Sequence, residues 1–189
     1  MGRISLSIYQ KITLSLFLLC GAAVAKEIEG VKIPETMVCE GKELPLSGAG
    51  LRTATFFKVK IYVLAFYAKE KVQTSKPEEL IQRPLCFHLT YLRDFDNSDV
   101  DKAWDYQFDE SADFKYPGLK DHIKELKKYF GEIKGERSET LILTEEAVKV
   151  FDNKEFKGEI KSKDFQKSFL SIWFGKNPPT KALKDDLLK

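Results

Sequence analysis

The residues with the clearest chemical potential in this 189-residue chain are an arginine, two lysines and a tyrosine around one long β-strand. Arg52 follows a Gly-rich segment, and Lys58, Lys60 and Tyr62 share its even parity. If no bulge intervenes, side chains of equal parity project from one face of a strand. A guanidinium beside a phenol hydroxyl is a receptor for a carboxylate or an enolate-like oxygen. The alternative on this pattern alone is that Arg52 pairs with a surface acid while the Tyr62 hydroxyl lies in water.

The Gly-rich segment is 44–52, with the sequence LPLSGAGLR. Gly48 and Gly50 are expected to permit a tight turn with positive φ just before the strand. That strand is predicted over 55–68, where the odd positions are almost all apolar and the even positions mix lysines with apolar residues. One face of the strand is therefore expected to contact a dry core, and the face that carries Tyr62 is expected to be partly wet.

The sequence lacks the signatures of common enzymes and metal sites. It has no Gly-rich phosphate loop with a Lys, no Gly-x-Ser-x-Gly elbow, no His-Glu-x-x-His and no Cys-x-x-Cys. His88 and His122 have no further ligands at metal-binding spacing. The acidic stretch 94–101 lacks the glycine and the closing glutamate of a calcium loop, so it predicts a solvated turn into a helix. We expect neither a metal nor a cofactor.

Around these residues the pattern predicts strands and helices in separate runs. The predicted strands are 31–38, 42–46, 55–68, 84–92, 139–144, 147–151 and 155–160. Four helices are predicted. The first begins at an N-cap Ser98 and the second has Pro117 in its first turn. The third begins at an N-cap Ser162, and a short final helix lies around Leu183. Segregated runs are typical of the α+β class, in which helices cover one face of a mostly antiparallel sheet. We expect one such domain over 26–189.

The first 25 residues predict a secretory signal peptide, because two cations precede a short apolar run that ends in small residues at 21–25. The alternatives are an uncleaved amphipathic anchor and a lipoprotein signal with Cys20 as the lipidated residue. Cleavage leaves equal numbers of cationic and acidic residues, and this balance argues against a nucleic-acid partner. No later apolar run is long enough to span a membrane. The mature protein is therefore expected in the periplasm or secreted, without stable membrane insertion.

Two cysteines remain after this segment, Cys39 and Cys86. In an oxidising compartment they can form a disulfide, and the alternative is a pair of unrelated buried thiols. Neither lies in a helix-start or histidine-flanked motif, so a catalytic cysteine is not expected.

The segment 44–68, LPLSGAGLRTATFFKVKIYVLAFYA, resembles the start of the chalcone isomerase-like superfamily, in which a Gly-Ala-Gly-x-Arg turn enters a long central strand. Residues 169–175, FLSIWFG, with Pro178 and Leu183, resemble the C-terminal helix-turn-helix of its bacterial exported members. The resemblance covers nearly all of 29–188. It implies an open-faced β-sandwich, in which a large curved antiparallel sheet carries helices on one side. It also implies a ligand cleft between the long strand and those helices.

The resemblance implies two possible activities. Plant isomerases of the superfamily cyclise chalcones by adding a phenolate to an enone, whereas non-catalytic relatives bind fatty acids through the turn arginine and a strand tyrosine. Arg52 matches the arginine of both groups. Tyr62 falls where the isomerases have a threonine and the fatty-acid-binding relatives have the tyrosine. The helix-side tyrosine and asparagine of the isomerases are not recovered in the corresponding pairs 96–97 and 104–105.

The preferred hypothesis is therefore a periplasmic, non-catalytic protein that binds a fatty acid or similar amphipathic acid. Arg52 and Tyr62 would hold the head group, with Lys60, Tyr91 and Ser171 as further cleft positions. The tail is expected near six apolar side chains, Phe56, Leu64, Phe66, Trp104, Phe169 and Trp173. One alternative is an intramolecular lyase that isomerises an enone, with Arg52 catalytic, and another is an envelope interaction protein with a vestigial cleft. The head-group hypothesis requires Arg52 and Tyr62 on the same face of the sheet.

Overall fold

The structure is a computed structural model that describes residues 23–81, 84–135 and 137–189. Most of the predicted signal peptide, including Cys20, lies outside the described residues, so its cleavage stays a prediction. Within the described ranges, none of the helices combines the length and the apolar character needed to cross a bilayer.

Two antiparallel sheets account for the strands of the described residues. The small sheet is a hairpin of β1 (Val24–Ile28) and β2 (Val31–Pro34). The large sheet is a meander in which each strand pairs with the next along the chain. Its seven strands are β3 (Thr36–Cys39), β4 (Lys42–Ala54), β5 (Val59–Ala68), β6 (Leu85–Tyr91), β7 (Ser138–Leu143), β8 (Val148–Asp152) and β9 (Glu155–Ile160). Sheet and helices together confirm the predicted α+β class.

The helices occur between β5 and β6, between β6 and β7, and after β9. They are α1 (Pro77–Leu80), α2 (Asn97–Tyr106) with a π-helical turn (Gln107–Ser111), α3 (Leu119–Lys127), α4 (Lys163–Phe174) and α5 (Lys181–Leu187). Helix α4 begins at the predicted N-cap, where the Ser162 hydroxyl accepts from the Phe165 N–H at 3.1 Å.

Two predicted helix starts are wrong. The N-cap of α2 is Asp96 rather than Ser98, because the Asp96 carboxylate accepts from the Asp99 N–H at 2.8 Å and a carboxylate also suits the positive end of the helix dipole. Pro117 lies before α3 rather than in its first turn. The intervening N-cap is Gly118, whose φ of 91° is in the left-handed region that glycine adopts without steric cost.

The large sheet separates two hydrophobic cores. The helices cover one face, where the larger core includes Leu64 and Phe66 of β5 together with Phe169 of α4. The β1–β2 hairpin covers the other face, where the smaller core includes Val63 and Ala65 of β5. Adjacent residues of β5 thus alternate between the two cores, and both faces of this strand are buried over 63–68.

The predicted Gly-rich turn at 44–52 is wrong, because this segment is part of the extended strand β4. Neither Gly48 nor Gly50 has a positive φ. Their reason is close packing instead: a Cβ on Gly48 would lie 2.3 Å from the Leu187 carbonyl oxygen, and one on Gly50 would lie 2.8 Å from the Asp186 Cβ. The two glycines allow the backbone of α5 to approach the sheet.

The disulfide between Cys39 and Cys86 is formed, which decides between the two alternatives for these residues. It joins β3 to β6, although β4 and β5 lie between them in the sheet order. Strands three positions apart in a flat sheet would be roughly 14 Å apart, yet the two Cα atoms are separated by 6.4 Å. The sheet must therefore curl so that β3 folds back over the hairpin-covered face. Closing this loop stabilises the fold by about 4 kcal/mol in the chain-entropy model.

Candidate functional site

A cavity of about 1110 Å³ lies between the helix-covered face of the sheet and α2. Its walls come from one end of β4, β5 and β6, from α2 with its π-helical turn, and from the segment 177–180 between α4 and α5. This volume is slightly above the roughly 300–1,000 Å³ range that is usual for small-molecule sites. Because its own side chains leave it open, the geometry gives no support to a vestigial cleft.

Arg52 and Tyr62 both line this cavity. They are direct cross-strand partners in the β4–β5 ladder, so their side chains project from the same face of the sheet. The geometric requirement of the head-group hypothesis is therefore met. Arg137 pairs with Asp152 through its guanidinium, whereas Arg52 has no ion-pair partner among the residues that the structure describes. A half-buried guanidinium without a carboxylate is a receptor for an anion.

The Tyr62 hydroxyl is held by its neighbours as an acceptor. Its oxygen accepts a hydrogen bond from the Trp173 indole N–H at 3.1 Å. Burial raises the pKa of the Tyr62 phenol, and the Trp173 hydrogen bond and the Arg52 charge oppose this rise. The phenol is therefore neutral at physiological pH, and within the described ranges its O–H has no protein acceptor. The O–H proton is free to be donated to a ligand oxygen beside Arg52.

Tyr91 lines the same cavity from β6, opposite Tyr62 in the β5–β6 ladder, and the two rings meet edge to face with centroids 5.9 Å apart. Its hydroxyl donates to the Glu139 carboxylate at 2.7 Å. Burial, and then the charge of Glu139, raise the pKa of the Tyr91 phenol well above its ordinary value. Tyr91 is thus a neutral donor that is already engaged with a protein carboxyl.

Glu139 was not predicted from the sequence as a site residue. It is fully buried, and its second oxygen, Oε1, has no hydrogen-bond partner among the described residues. Burial raises its pKa to about 7, while the Tyr91 hydrogen bond and the Arg137 charge act in the opposite direction. A sequence signal exists: Glu139 shares parity with the buried Leu141 and Leu143, so it is an acid on an otherwise apolar strand face.

Lys60 lies outside the cavity, contrary to the position expected from its parity with Tyr62. A bulge between Arg52 and Thr53 shifts the register, and Lys60 pairs with Thr53 in the ladder. Its ammonium forms an ion pair with Glu29, in the turn of the β1–β2 hairpin, at 2.5 Å. The bulge therefore sends Lys60 to the hairpin-covered side while Tyr62 stays in the cavity.

Ser171 also lies outside the cavity. Its hydroxyl is buried, donates to the Ser168 carbonyl at 2.7 Å and accepts from the Asp113 N–H at 3.0 Å. Both bonds are internal to the fold, where they fasten α4 to the loop after the π-helical turn. Ser171 therefore has a structural role in this arrangement.

The side chains expected around a ligand tail divide into three groups. Trp104 and Trp173 line the cavity. Leu64, Phe66 and Phe169 are fully buried in the larger core and do not line it. Phe56 lies at the tip of the β4–β5 hairpin and is 94% exposed, since 55–58 form a turn rather than the start of the predicted strand.

Charged side chains around the cavity opening were not predicted from the sequence as site residues. The exposed lining residues with charge are Arg93, Asp94, Asp99, Lys102 and Glu110. Apart from Arg93 and Asp94, they belong to α2 and its π-helical turn, which face the β4–β5 hairpin across the cavity. Among the described residues, no cluster of three or more His, Cys, Asp or Glu side chains is arranged to hold a metal ion.

Comparison with known proteins places this architecture. A family model described as chalcone isomerase-like matches residues 25–189. Among solved structures, a fatty-acid binding protein of Arabidopsis thaliana has the same fold, with a TM-score of 0.71 and 16% sequence identity over 89% of this chain and 96% of that chain. No curated protein sequence matches significantly. The order of strands and helices, the open cavity and the family match agree with one another, and this chain belongs to the chalcone isomerase-like family.

Proposed function

We propose that this protein binds a fatty acid or a similar long-chain carboxylate without transforming it. Arg52 holds the carboxylate through its guanidinium, and Tyr62 donates its O–H to the same group. The apolar chain lies along the cavity between Trp104 of α2 and Trp173 of α4. The structural relationship to a plant fatty-acid binding protein supports this ligand class.

The observation that carries the proposal is the pairing of Arg52 with Tyr62 on one cavity wall. The guanidinium has no carboxylate among the described residues, and the phenol has a free proton. Together they offer a positive charge and a neutral donor to two oxygens of one anion. An enolate would fit the same two groups. However, the sequence does not recover the helix-side tyrosine and asparagine of the isomerases, so the other donors expected for ring closure are missing.

A direct binding titration tests the proposal. A long-chain fatty acid is titrated into the delipidated protein by isothermal calorimetry, and detergent-free preparations are examined by native mass spectrometry for a co-purified lipid. We expect Arg52→Ala to weaken binding at least about 100-fold, since the carboxylate loses its charge-assisted hydrogen bonds to the half-buried guanidinium. Lys60→Ala is the matched control, because it removes a cation from the adjacent strand on the other side of the sheet.

Equal affinities for the wild type and Arg52→Ala would contradict the proposal. Turnover of chalcones or other enones that disappears in Arg52→Ala would instead identify an isomerase. Absence of both fatty-acid binding and enone turnover, in a correctly folded protein, would favour a role in protein interaction.

We also propose that the protein belongs to the exported branch of the family and functions in the periplasm. The pattern of the first 25 residues and the disulfide between Cys39 and Cys86 support this location, since disulfides persist in oxidising compartments. Intact mass measurement of the protein from a periplasmic extract tests it. The expected mature chain begins at Lys26, and an uncleaved chain in the cytosolic fraction would contradict the proposal.

A further inference from the structure

The tip of the β4–β5 hairpin exposes two aromatic side chains side by side. Phe56 is 94% exposed and Phe57 is 85% exposed, which are the largest values among the exposed large hydrophobic side chains of the described residues. Their rings contact each other edge to face, with centroids 5.8 Å apart. Exposing two adjacent phenylalanines is unfavourable in water, so this tip is a feature that needs an explanation.

The backbone holds the two rings outward. The Lys58 N–H donates to the Thr55 carbonyl at 3.2 Å, so Phe56 and Phe57 are the two corner residues of a tight turn. Thr55 and Lys58, on either side of them, both have positive φ, 63° and 51°. A β-branched residue in this region is a steric outlier. The chain therefore accepts backbone strain at the point where it presents the two rings.

In the half of the hairpin nearest the rings, all charged side chains are cationic. Between 51 and 68 it contains Arg52, Lys58 and Lys60 and no acid. Lys60 is paired with Glu29, and Lys58 is exposed beside the two rings. Exposed aromatic side chains beside an exposed lysine suit the interface of an anionic bilayer, where rings can enter the headgroup region and a cation can meet lipid phosphate.

The tip adjoins the opening of the cavity. Residues 53–55, which lead directly into the turn, line the cavity. Tyr106, 59% exposed at the end of α2, lines it from the opposite side. A bilayer in contact with the tip would therefore lie beside the cavity opening.

We infer that the tip Thr55–Lys58 is a membrane-contact element, which docks the cavity opening against the surface of an anionic lipid bilayer. Phe56 and Phe57 insert among the headgroups and Lys58 contacts lipid phosphate. The contact is peripheral and spans nothing. The benefit of this placement, direct exchange of a long-chain acid between bilayer and cavity, rests on the proposed function; the docking itself does not.

Vesicle co-sedimentation tests the docking. The full mature chain is mixed with vesicles of phosphatidylcholine alone, or of equal parts of phosphatidylcholine and phosphatidylglycerol. We expect binding to the anionic vesicles that weakens at high salt, and a loss of at least about tenfold in the double variant Phe56→Ser with Phe57→Ser. Phe156→Ser is the matched control, because Phe156 is an exposed phenylalanine of β9 that does not line the cavity.

A fluorescent reporter checks the geometry of the contact. The substitution Phe57→Trp adds an exposed indole to a protein whose Trp104 and Trp173 are buried. We expect a blue shift of its emission on anionic vesicles and quenching by brominated lipid. An unshifted, unquenched signal from the introduced indole in vesicle-bound protein would show that another surface makes the contact and would overturn the inference.

The two proposals fail separately. The docking inference is overturned if wild-type protein does not bind anionic vesicles, or if the serine double variant binds them as well as wild type does. Either result counts even if fatty-acid affinity in vesicle-free solution is normal. Vesicle binding that depends on the two phenylalanines but persists in Arg52→Ala supports the docking, whatever the fatty-acid titration shows. Capture of a soluble protein by the tip, without vesicle binding, also overturns it.

Discussion

The helix-covered face of the β4–β5 hairpin differs between its two ends: a helix packs on one end, and the cavity borders the other. On this face, Gly48, Gly50 and Arg52 follow one another at alternate positions of β4 and pair with Phe66, Leu64 and Tyr62 of β5. At the glycine end, α5 packs directly on the strand and the neighbouring side chains are fully buried. At the arginine end, the helices stand away and the cavity remains.

The comparison shows how side-chain size along one strand face can position a site. Two missing Cβ atoms let a helix backbone come into contact, and two residues later the long side chain of Arg52 occupies that layer. The polar groups at this end also favour an open cavity, since burying a guanidinium in a dry core without a partner is costly. The closed end is tightly packed, and the open end carries the two groups of the proposed binding site.

Adding a side chain at the glycine end should have the largest effect on stability. In Gly48→Ala the new Cβ would lie 2.3 Å from the Leu187 carbonyl, a backbone atom that can move only with α5. We expect the free energy of unfolding to fall by about 3 kcal/mol and the Tm to fall by roughly 6–12 °C, measured by chemical and thermal denaturation.

Two further glycine variants control this measurement. Gly50→Ala should cost less, because its close contacts are with the Asp186 and Leu183 side chains. Gly131→Ala should be nearly neutral, since nothing lies closer than 3.8 Å to its new Cβ. Equal stability losses in all three would mean that helix approach does not explain the glycines.

The second-largest effect concerns Glu139, whose buried carboxyl accepts from Tyr91 of the cavity wall. The pKa of Glu139 is raised to about 7, so the folded state holds its proton more tightly than the unfolded chain does. Its contribution to stability is fully present below the unfolded pKa of about 4.5 and is lost as the pH rises through 7. The difference in unfolding free energy between wild type and Glu139→Gln should fall by about 3 kcal/mol over this window.

Comparing variants at each pH removes an opposing contribution from His88, whose pKa is lowered to about 4, mainly by burial. Its stabilisation is present above pH 6.5 and lost as the pH falls through 4. Tyr91→Phe removes the donor that lowers the Glu139 pKa, so it should move the Glu139 transition to higher pH. A pH-independent difference between wild type and Glu139→Gln would argue that the carboxyl is not buried in this way.

The smallest expected effect sharpens the role of the phenol at the open end. Tyr62→Phe should weaken fatty-acid binding by about tenfold, the worth of one hydrogen bond to a charged group, as measured by calorimetry. It should also cost about 1 kcal/mol of stability, because the Trp173 N–H loses its acceptor. Tyr67→Phe is the control, since the Tyr67 hydroxyl bonds to the Pro34 carbonyl on the other face. Affinities that fall equally in both variants would remove Tyr62 from the head-group site.

Sequence patterns predicted local structure best where the signal lies within a single element of secondary structure. The strand over 155–160 and the start of α4 at Ser162 agree with the structure, because alternation and a capping hydroxyl are local signals. The strand predicted over 55–68 was wrong at its first four residues. Phe56 and Phe57 fit the apolar pattern of a strand, yet they lie at the tip of a turn. The turn residues 55–58 include no glycine or proline that would have predicted it.

The sequence by itself determined the class of the fold and the absence of familiar catalytic motifs, since these follow from residue types and short spacings. It left open whether Arg52 and Tyr62 share a face of the sheet, and the structure decided this by pairing them across β4 and β5. Only the tertiary structure decided that a bulge separates Lys60 from Tyr62, that Gly48 and Gly50 serve a helix rather than a turn, and that Glu139 stands behind Tyr91. These outcomes depend on register and on contacts between residues far apart in the chain. A one-residue shift reverses the face of a strand, and no local pattern encodes which helix will lie against it.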